Sequence, residues 1–229
     1  MIEFEKLVNE LGININEEML KQFDIYYQFL ISENEKINLT GITDIDGVYL
    51  KHFYDSITLY KAGIYENASI CDIGAGAGFP SIPLKICMPS LKITIIDSLQ
   101  KRCNFLKELV KKLNLTNVTI IWGRAEEAKV KDFDFVTARA VARLNILDEL
   151  CIPLVKKGGY FVAMKSSLLE EEIEEAKKGI NILGGKLKNV ISFNLPIEES
   201  SRNILIVEKI KETPSKYPRK FASIKKSPL

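Results

Sequence analysis

The sequence predicts an α/β fold: a doubly wound, mostly parallel sheet of seven strands, the last antiparallel, behind a helical N-terminal segment. Three observations carry this expectation. The hydrophobic period changes from helical to strand-like near residue 68. From there short β-rich runs alternate with helical patterns, which is the signature of a parallel sheet covered on both faces. Near the end two strands are joined by "PIEESS", a link short enough for an antiparallel hairpin.

The elements follow in order. Residues 1–66 read as helical. In "NEEMLKQFDIYYQFLISENEK" apolar side chains recur at Met19, Leu20, Phe23, Tyr26, Tyr27 and Leu30, the spacing of one helix face. After the polar turn "NLTGITD", Thr43 and Asp44 offer N-cap oxygens for a second helix through "GVYLKHFYDSITLYK". The core, residues 67–210, supplies the strands "SICDIG", "KITIIDS", "NVTIIWG", "FDFVTAR", "GYFVAMK", "NVISFNL" and "RNILIVEKI". Helical patterns "SIPLKICM", "QKRCNFLKELVKKLN" and "VARLNILDELCIPLV" separate several of them, and Trp122 and Phe133 are expected in the core, with a ligand-flanking position the alternative for Trp122. Residues 211–229 form a basic tail with six Lys/Arg against one Glu. The acidic run "EEEIEEAKK" reads as a solvated helix face.

Composition narrows the class. The chain has 229 residues, 46% of them hydrophobic, enough for a sizeable core. No apolar run approaches the length of a membrane-spanning helix, and the acidic, amphipathic "MIEFEKLVNELG" does not read as a signal peptide. Cys71, Cys87, Cys103 and Cys151 show no metal spacing and are expected as reduced, buried thiols of a cytoplasmic protein. Net charge is only +2, yet the basic tail hints at a polyanionic partner.

The chemistry is concentrated in "CDIGAGAGFPSIPLKI". Gly74, Gly76 and Gly78 follow the first strand and precede a helix near Ser81, where open α/β sheets bind ligands. Glycines there let backbone amides approach a ligand closely. The spacing is G-x-G-x-G, not the G-x-G-x-x-G of a pyrophosphate site, and the GK[ST] ending of a P-loop is absent. Asp97 closes the second strand about twenty residues on, where an acid can accept from ribose hydroxyls. Together these fit a nucleoside that carries an amino acid, S-adenosylmethionine. An NAD-linked oxidoreductase on the same sheet is the rival enzyme reading.

The motifs "INLTGITD", "KHFYDSI", "DIGAGAGFPSIPLKI", "IIDSLQKRCNFLK", "GRAEE", "ARAVARL" and "TPSKYPRK", in this order over nearly the whole chain, resemble the RsmG (GidB) family. The resemblance implies a bacterial methyltransferase acting on N7 of one guanosine in 16S ribosomal RNA, with a Rossmann-like S-adenosylmethionine-dependent fold. By the same resemblance Gly74, Gly76, Gly78 and Phe79 shape the methionine side of the pocket, and Asp97 holds the ribose. Ala125 and Glu126 border the adenine, and Arg139 faces the methyl-transfer centre. Ser81 departs from the glycine of some relatives, and the tail lacks the glycine and proline many carry after the basic pair.

Guanine N7 has a lone pair and no proton to lose, so catalysis would rest on positioning rather than on a base. There is no NPPY tetrapeptide and no Pro-Cys dipeptide, the marks of other methyl acceptors. His52, Asp55 and Ser56 are spaced i, i+3, i+4 and are expected on one helix face near the site. Arg143 and Lys165 are candidates for the pocket rim. Arg202, Lys209, Arg219 and Lys220, with Lys101, Arg102, Lys107, Lys111 and Lys112, are expected to offer RNA phosphates a basic surface. The expected partner is 16S RNA or the small ribosomal subunit, without metal or membrane. A non-catalytic RNA-binding or ribosome-assembly protein is the remaining alternative.

Overall fold

The computed structural model describes residues 3–166 and 170–229; the first two residues of the N-terminal amphipathic stretch lie outside them. Helix α1 (Phe4–Glu10) is followed by α2 (Glu17–Ile37). Asn16 caps α2 by accepting from the Met19 N–H at 2.9 Å, Glu17 and Glu18 sit in its first turn, and Lys36 in its last. Acids at the N-terminus and a base at the C-terminus both complement the helix dipole. Asn38, in the left-handed region at φ 55°, ends it.

The second expected helix is a mixed one. Asp44, not Thr43, caps it through the Gly47 N–H at 2.7 Å. The chain then runs as α3 (Ile45–Gly47), a π-helical stretch Val48–Tyr54, α4 (Asp55–Ile57) and a 3-10 turn Thr58–Ala62. A π stretch widens the turn and often marks a functional site.

The sheet contains β1 (Ser69–Ile73), β2 (Lys92–Asp97), β3 (Val118–Trp122), β4 (Phe133–Arg139), β5 (Val155–Lys165), β6 (Gly185–Asn194) and β7 (Ser201–Lys209). Its order is β3-β2-β1-β4-β5-β7-β6. β1 to β5 pair in parallel, and β7 lies antiparallel to both β5 and β6, so the hairpin is inserted with its second strand inward. Helices α5 (Ser81–Cys87), α6 (Gln100–Lys112), α7 (Leu144–Cys151) and α8 (Glu170–Ile182) cover the sheet, and α9 (Phe221–Lys226) closes the tail.

The central strands alternate between two cores. Ile70, Phe135, Val162, Ile204 and Ile206 join the N-terminal helices, α5 and α6 in one cluster. Cys71, Val136, Ala163, Leu205 and Val207 join α7, α8 and Ile224 of the tail in the other. A period of two with both faces buried is why these strands read as nearly continuous apolar runs. All four cysteines are buried and free.

Two expectations fail at the periphery. Trp122 is 61% exposed, because β3 is an edge strand and its end has no neighbour beyond it; Phe133 is buried as expected. Lys209 is buried, its Nζ donating to the carbonyls of Val155 at 2.7 Å and Pro153 at 3.3 Å, so it belongs to no phosphate surface.

Candidate functional site

The strand order reverses between β1 and β4, and a cavity of about 810 Å³ opens there beyond the carboxyl ends of the strands. That volume lies in the range of small-ligand sites. The glycine loop forms its floor, and its three glycines prove to have three different reasons. Gly76 has φ +60°, and a Cβ there would meet nothing within 4 Å, so its bare side is open. Gly74 lies under Val141, whose methyl a Cβ would approach to 3.0 Å. Gly78 does not line the cavity. A Cβ there would strike the Tyr26 hydroxyl at 2.7 Å, and Tyr26 donates to the Ala77 carbonyl at 2.5 Å. That third glycine serves the docking of α2 on the loop.

Asp97 organises the loop from the end of β2. Its Oδ2 accepts from the Gly76 N–H at 3.2 Å and its Oδ1 from the Leu99 N–H at 2.9 Å, with Arg102 at 3.9 Å. Ala125 and Glu126 lie on the 3-10 turn after β3, outside the cavity lining; just before that turn the Gly123 N–H donates to the Asp97 carbonyl at 3.0 Å. The open Gly76 backbone at the cavity and the Asp97 carboxylate just behind its lining, 3% exposed, are the groups an amino-acid nucleoside would meet there.

The opposite wall comes from the π-helical stretch. His52 stacks on Phe79 with ring centroids 4.7 Å apart. Its Nδ1 faces the Lys51 carbonyl at 3.2 Å, an acceptor only, so Nδ1 carries the proton. Nε2 therefore accepts from the Thr40 hydroxyl at 2.6 Å. Asn34 holds Thr40 in place by accepting from the N–H groups of Leu39 and Thr40 at 2.6 and 2.8 Å. Burial, then the Arg139 charge, push the His52 pKa down to about 4, so the ring is neutral at physiological pH.

Asp55 is 5% exposed and joins two arginines distant in sequence. Its Oδ2 accepts from Arg139 Nη1 at 3.0 Å and its Oδ1 from Arg202 Nε at 2.9 Å. The Arg139 guanidinium also lies over the Phe79 ring, 4.9 Å from its centroid. His52 and Asp55 thus face one cavity, but Ser56 does not join them: its hydroxyl turns back to the His52 carbonyl at 2.5 Å. Helical spacing placed the three together, but the Ser56 hydroxyl is taken up by the backbone carbonyl one turn before it.

On the rim, Arg143 pairs with Glu175 at 2.8 Å, and Lys165 pairs with Glu172, which also accepts from the Leu144 N–H at 2.7 Å. The acidic helix α8 is therefore no mere solvated face; it sets two rim cations and caps α7. Arg219 lies outside the cavity. It forks onto Glu149, a fully buried carboxylate, with contacts of 2.6, 2.9 and 3.1 Å. Lys220 is exposed beside it. The late cations therefore form no single patch. Sequence reasoning missed Tyr26, Thr40 and Lys51; only the "INLTGITD" motif pointed toward Thr40. Among the described residues no group of three His, Cys, Asp or Glu side chains is placed to hold a metal, and no helix is long and apolar enough to cross a membrane.

Known proteins give this geometry a family. A model of the GidB family, rRNA small subunit methyltransferase G, matches residues 19–204. Proteins named ribosomal RNA small subunit methyltransferase G from Bacillus cereus (strain ZK / E33L) and Bacillus anthracis (strain CDC 684 / NRRL 3495) are each 53% identical over 99% of this chain and 98% of theirs. Among solved structures, a SAM-dependent methyltransferase from Aquifex aeolicus superposes with TM-score 0.55 at 22% identity, covering 77% of this chain and 97% of that one. TrmN from Thermus thermophilus gives 0.54 at 14% identity, covering 70% and 53%. These two likenesses show the fold. The chain is an S-adenosylmethionine-dependent methyltransferase, and it belongs to the rRNA small subunit methyltransferase G family.

Proposed function

We propose that this protein transfers a methyl group from S-adenosylmethionine to N7 of a guanosine in 16S ribosomal RNA, in the bacterial cytoplasm. One observation supports the N7 acceptor above all: among the described residues the cavity offers no free general base. The chain's one histidine is neutral with both ring nitrogens engaged, and the carboxylates of Asp55 and Glu172 are held by Arg139, Arg202 and Lys165. N7 attacks through a lone pair and sheds no proton, so such a wall suffices.

When bound, S-adenosylmethionine supplies an electrophilic methyl group on a cationic sulfur. Gly76 gives backbone access to it, and Asp97 offers acceptor oxygens to its ribose. Phe79, 6% exposed and in contact with His52, Tyr26 and Arg139, holds the His52 and Arg139 side chains at the cavity wall. Arg139 keeps its Nε and Nη2 protons without protein partners among the described residues, and a guanidinium is suited to guanine O6 while leaving N7 free. Lys51, Arg143, Lys165 and Arg202 at the cavity, with exposed Lys220 further out, are the cations for phosphate contacts. Arg219 is assigned to the tail's clasp on Glu149 instead.

The test is methyl transfer to 16S RNA or small subunits that lack the modification, followed by borohydride–aniline cleavage, which breaks the chain at N7-methylguanosine. A single cleavage that requires both protein and methyl donor is expected. Methyl groups found on exocyclic nitrogens or on carbon would refute the reading.

A further inference from the structure

Among the described residues, eight non-glycine residues have positive φ. Five are Asn or Asp, which tolerate the left-handed region. The other three are Ala140, Ile197 and Glu199. Ala140 lines the cavity. Ile197 and Glu199 form the tip of the β6–β7 hairpin. Ile197, at φ +72°, is the one β-branched residue among the eight, and it is 69% exposed. A β-branched side chain is a poor occupant of this backbone region, and strain of this kind collects at functional sites.

The tip has a definite place. Asn203 on β7 pairs with Lys165 at the end of β5, so the hairpin turn lies just past the carboxyl ends of the parallel strands, where the cavity opens. Glu198 ties the tip to Lys51 on the cavity wall at 2.7 Å, and Arg202 donates to Ser200 at 3.3 Å. Below the tip Leu195 is buried, and its N–H and carbonyl close the turn with Ser200 and Glu199 at 2.9 and 3.0 Å. The turn is thus anchored on both sides while its Ile side chain touches little. An Asn would relieve the strain and the exposure together, as it does elsewhere in the chain.

We propose that Ile197 is an apolar wedge that enters the RNA stack beside the target guanosine and fills the space left when that base turns into the cavity. Enzymes that act on a base must unstack it, and exposed apolar side chains inserted between bases offset that cost. Lys51 neutralises Glu198, and Arg139 and Arg202 share the single carboxylate of Asp55, which leaves a positive charge in the cavity beside the tip for the flanking phosphates. The inference rests on the proposed action on 16S RNA.

The experiment compares wild type with Ile197→Asn, Ile197→Gly and Ile197→Met. It reads thermal unfolding, S-adenosylmethionine affinity and single-turnover methyl transfer at saturating 16S RNA. Asn and Gly suit the backbone, so both should keep or raise Tm by about 1–4 °C. Donor affinity should stay within about twofold, while transfer slows at least about tenfold. Met restores an apolar tip and should recover most of the rate. Transfer slowed less than tenfold in both Asn and Gly variants overturns the wedge, as does a clear fall in Tm in both, which would make the tip a packing element. Absence of transfer by the wild type would instead refute the action on RNA, and the wedge with it.

Discussion

Asp55 is the joint between the N-terminal helices and the sheet, and its removal tests the positioning argument directly. The Asp55 side chain is 7% exposed, and the side chains it joins, Arg139 and Arg202, are 14% and 16% exposed. Breaking a fully buried ion pair costs about 3–5 kcal/mol. Both guanidinium groups retain some solvent, so Asp55→Ala should cost about 2–3 kcal/mol. For a chain of this size that lowers Tm by about 4–12 °C. Asp55→Asn keeps the shape but only one acceptor: its amide oxygen can take one arginine, while its NH2 faces the other guanidinium donor against donor, so it should cost about as much, roughly 2–3 kcal/mol. Both variants should slow methyl transfer by about tenfold to a hundredfold, because Arg139 loses its anchor over Phe79. Donor affinity should change by less than about threefold, since Gly76 and Asp97 stand on other elements. Thermal melts, calorimetry and single-turnover transfer read the three quantities. In a double-mutant cycle, Asp55→Ala with Arg202→Ala should cost about 1–2 kcal/mol less than the two changes summed. A Tm within about 2 °C of wild type together with a rate within about threefold, or an additive cycle, would refute the joint.

Gly76→Val should cost S-adenosylmethionine more than about tenfold in affinity, or about 1.4 kcal/mol, because the side chain fills the open cradle. Gly76→Asn, which tolerates the positive φ, should lose the donor as well while folding normally; calorimetric affinity within threefold of wild type in either folded variant would contradict the pocket. Arg219→Ala leaves the buried Glu149 carboxylate unpaired and should cost about 3 kcal/mol in melts without altering the salt dependence of RNA binding. Lys220→Ala should do the reverse, leaving Tm alone and shallowing the log–log salt slope by about 0.7–0.9 in a titration series. His52, with its pKa pushed down to about 4, is neutral in the native state, so the unfolded chain takes up the proton first. Its contribution to stability is therefore lost as pH falls from about 6.5 to about 4. Burial pushes the Asp72 carboxyl up to about 7, so its contribution is lost as pH rises from about 4 to about 7. Denaturant melts across this range should flatten in the acid limb for His52→Asn and in the neutral limb for Asp72→Asn.

What the sequence determined by itself is what local periodicity and turn chemistry encode. The alternation of strands and helices, the antiparallel hairpin, the glycine loop at the end of β1 and the acid at the end of β2 are each written within a few neighbouring residues. Motif resemblance added the family and brought His52, Asp55, Phe79 and Arg139 near one site. The tertiary structure decided what depends on residues far apart in the chain. Asp55 meets Arg139 and Arg202 across 84 and 147 positions, and Arg219 meets Glu149 across 70. No spacing rule reaches that far, so Arg202 and Arg219 read alike in sequence although one joins the cavity wall and the other clasps the tail. Gly78 shared a motif with Gly76, but Tyr26, brought in by α2, and Ile82 fill the space a side chain there would need. Trp122 read as core because an apolar strand end looks the same at the centre and at the edge of a sheet. Its exposure followed from strand order, which sequence period does not contain. Periodicity records which side of an element is apolar, whereas packing against distant elements decides which polar groups meet and which apolar ones are left uncovered.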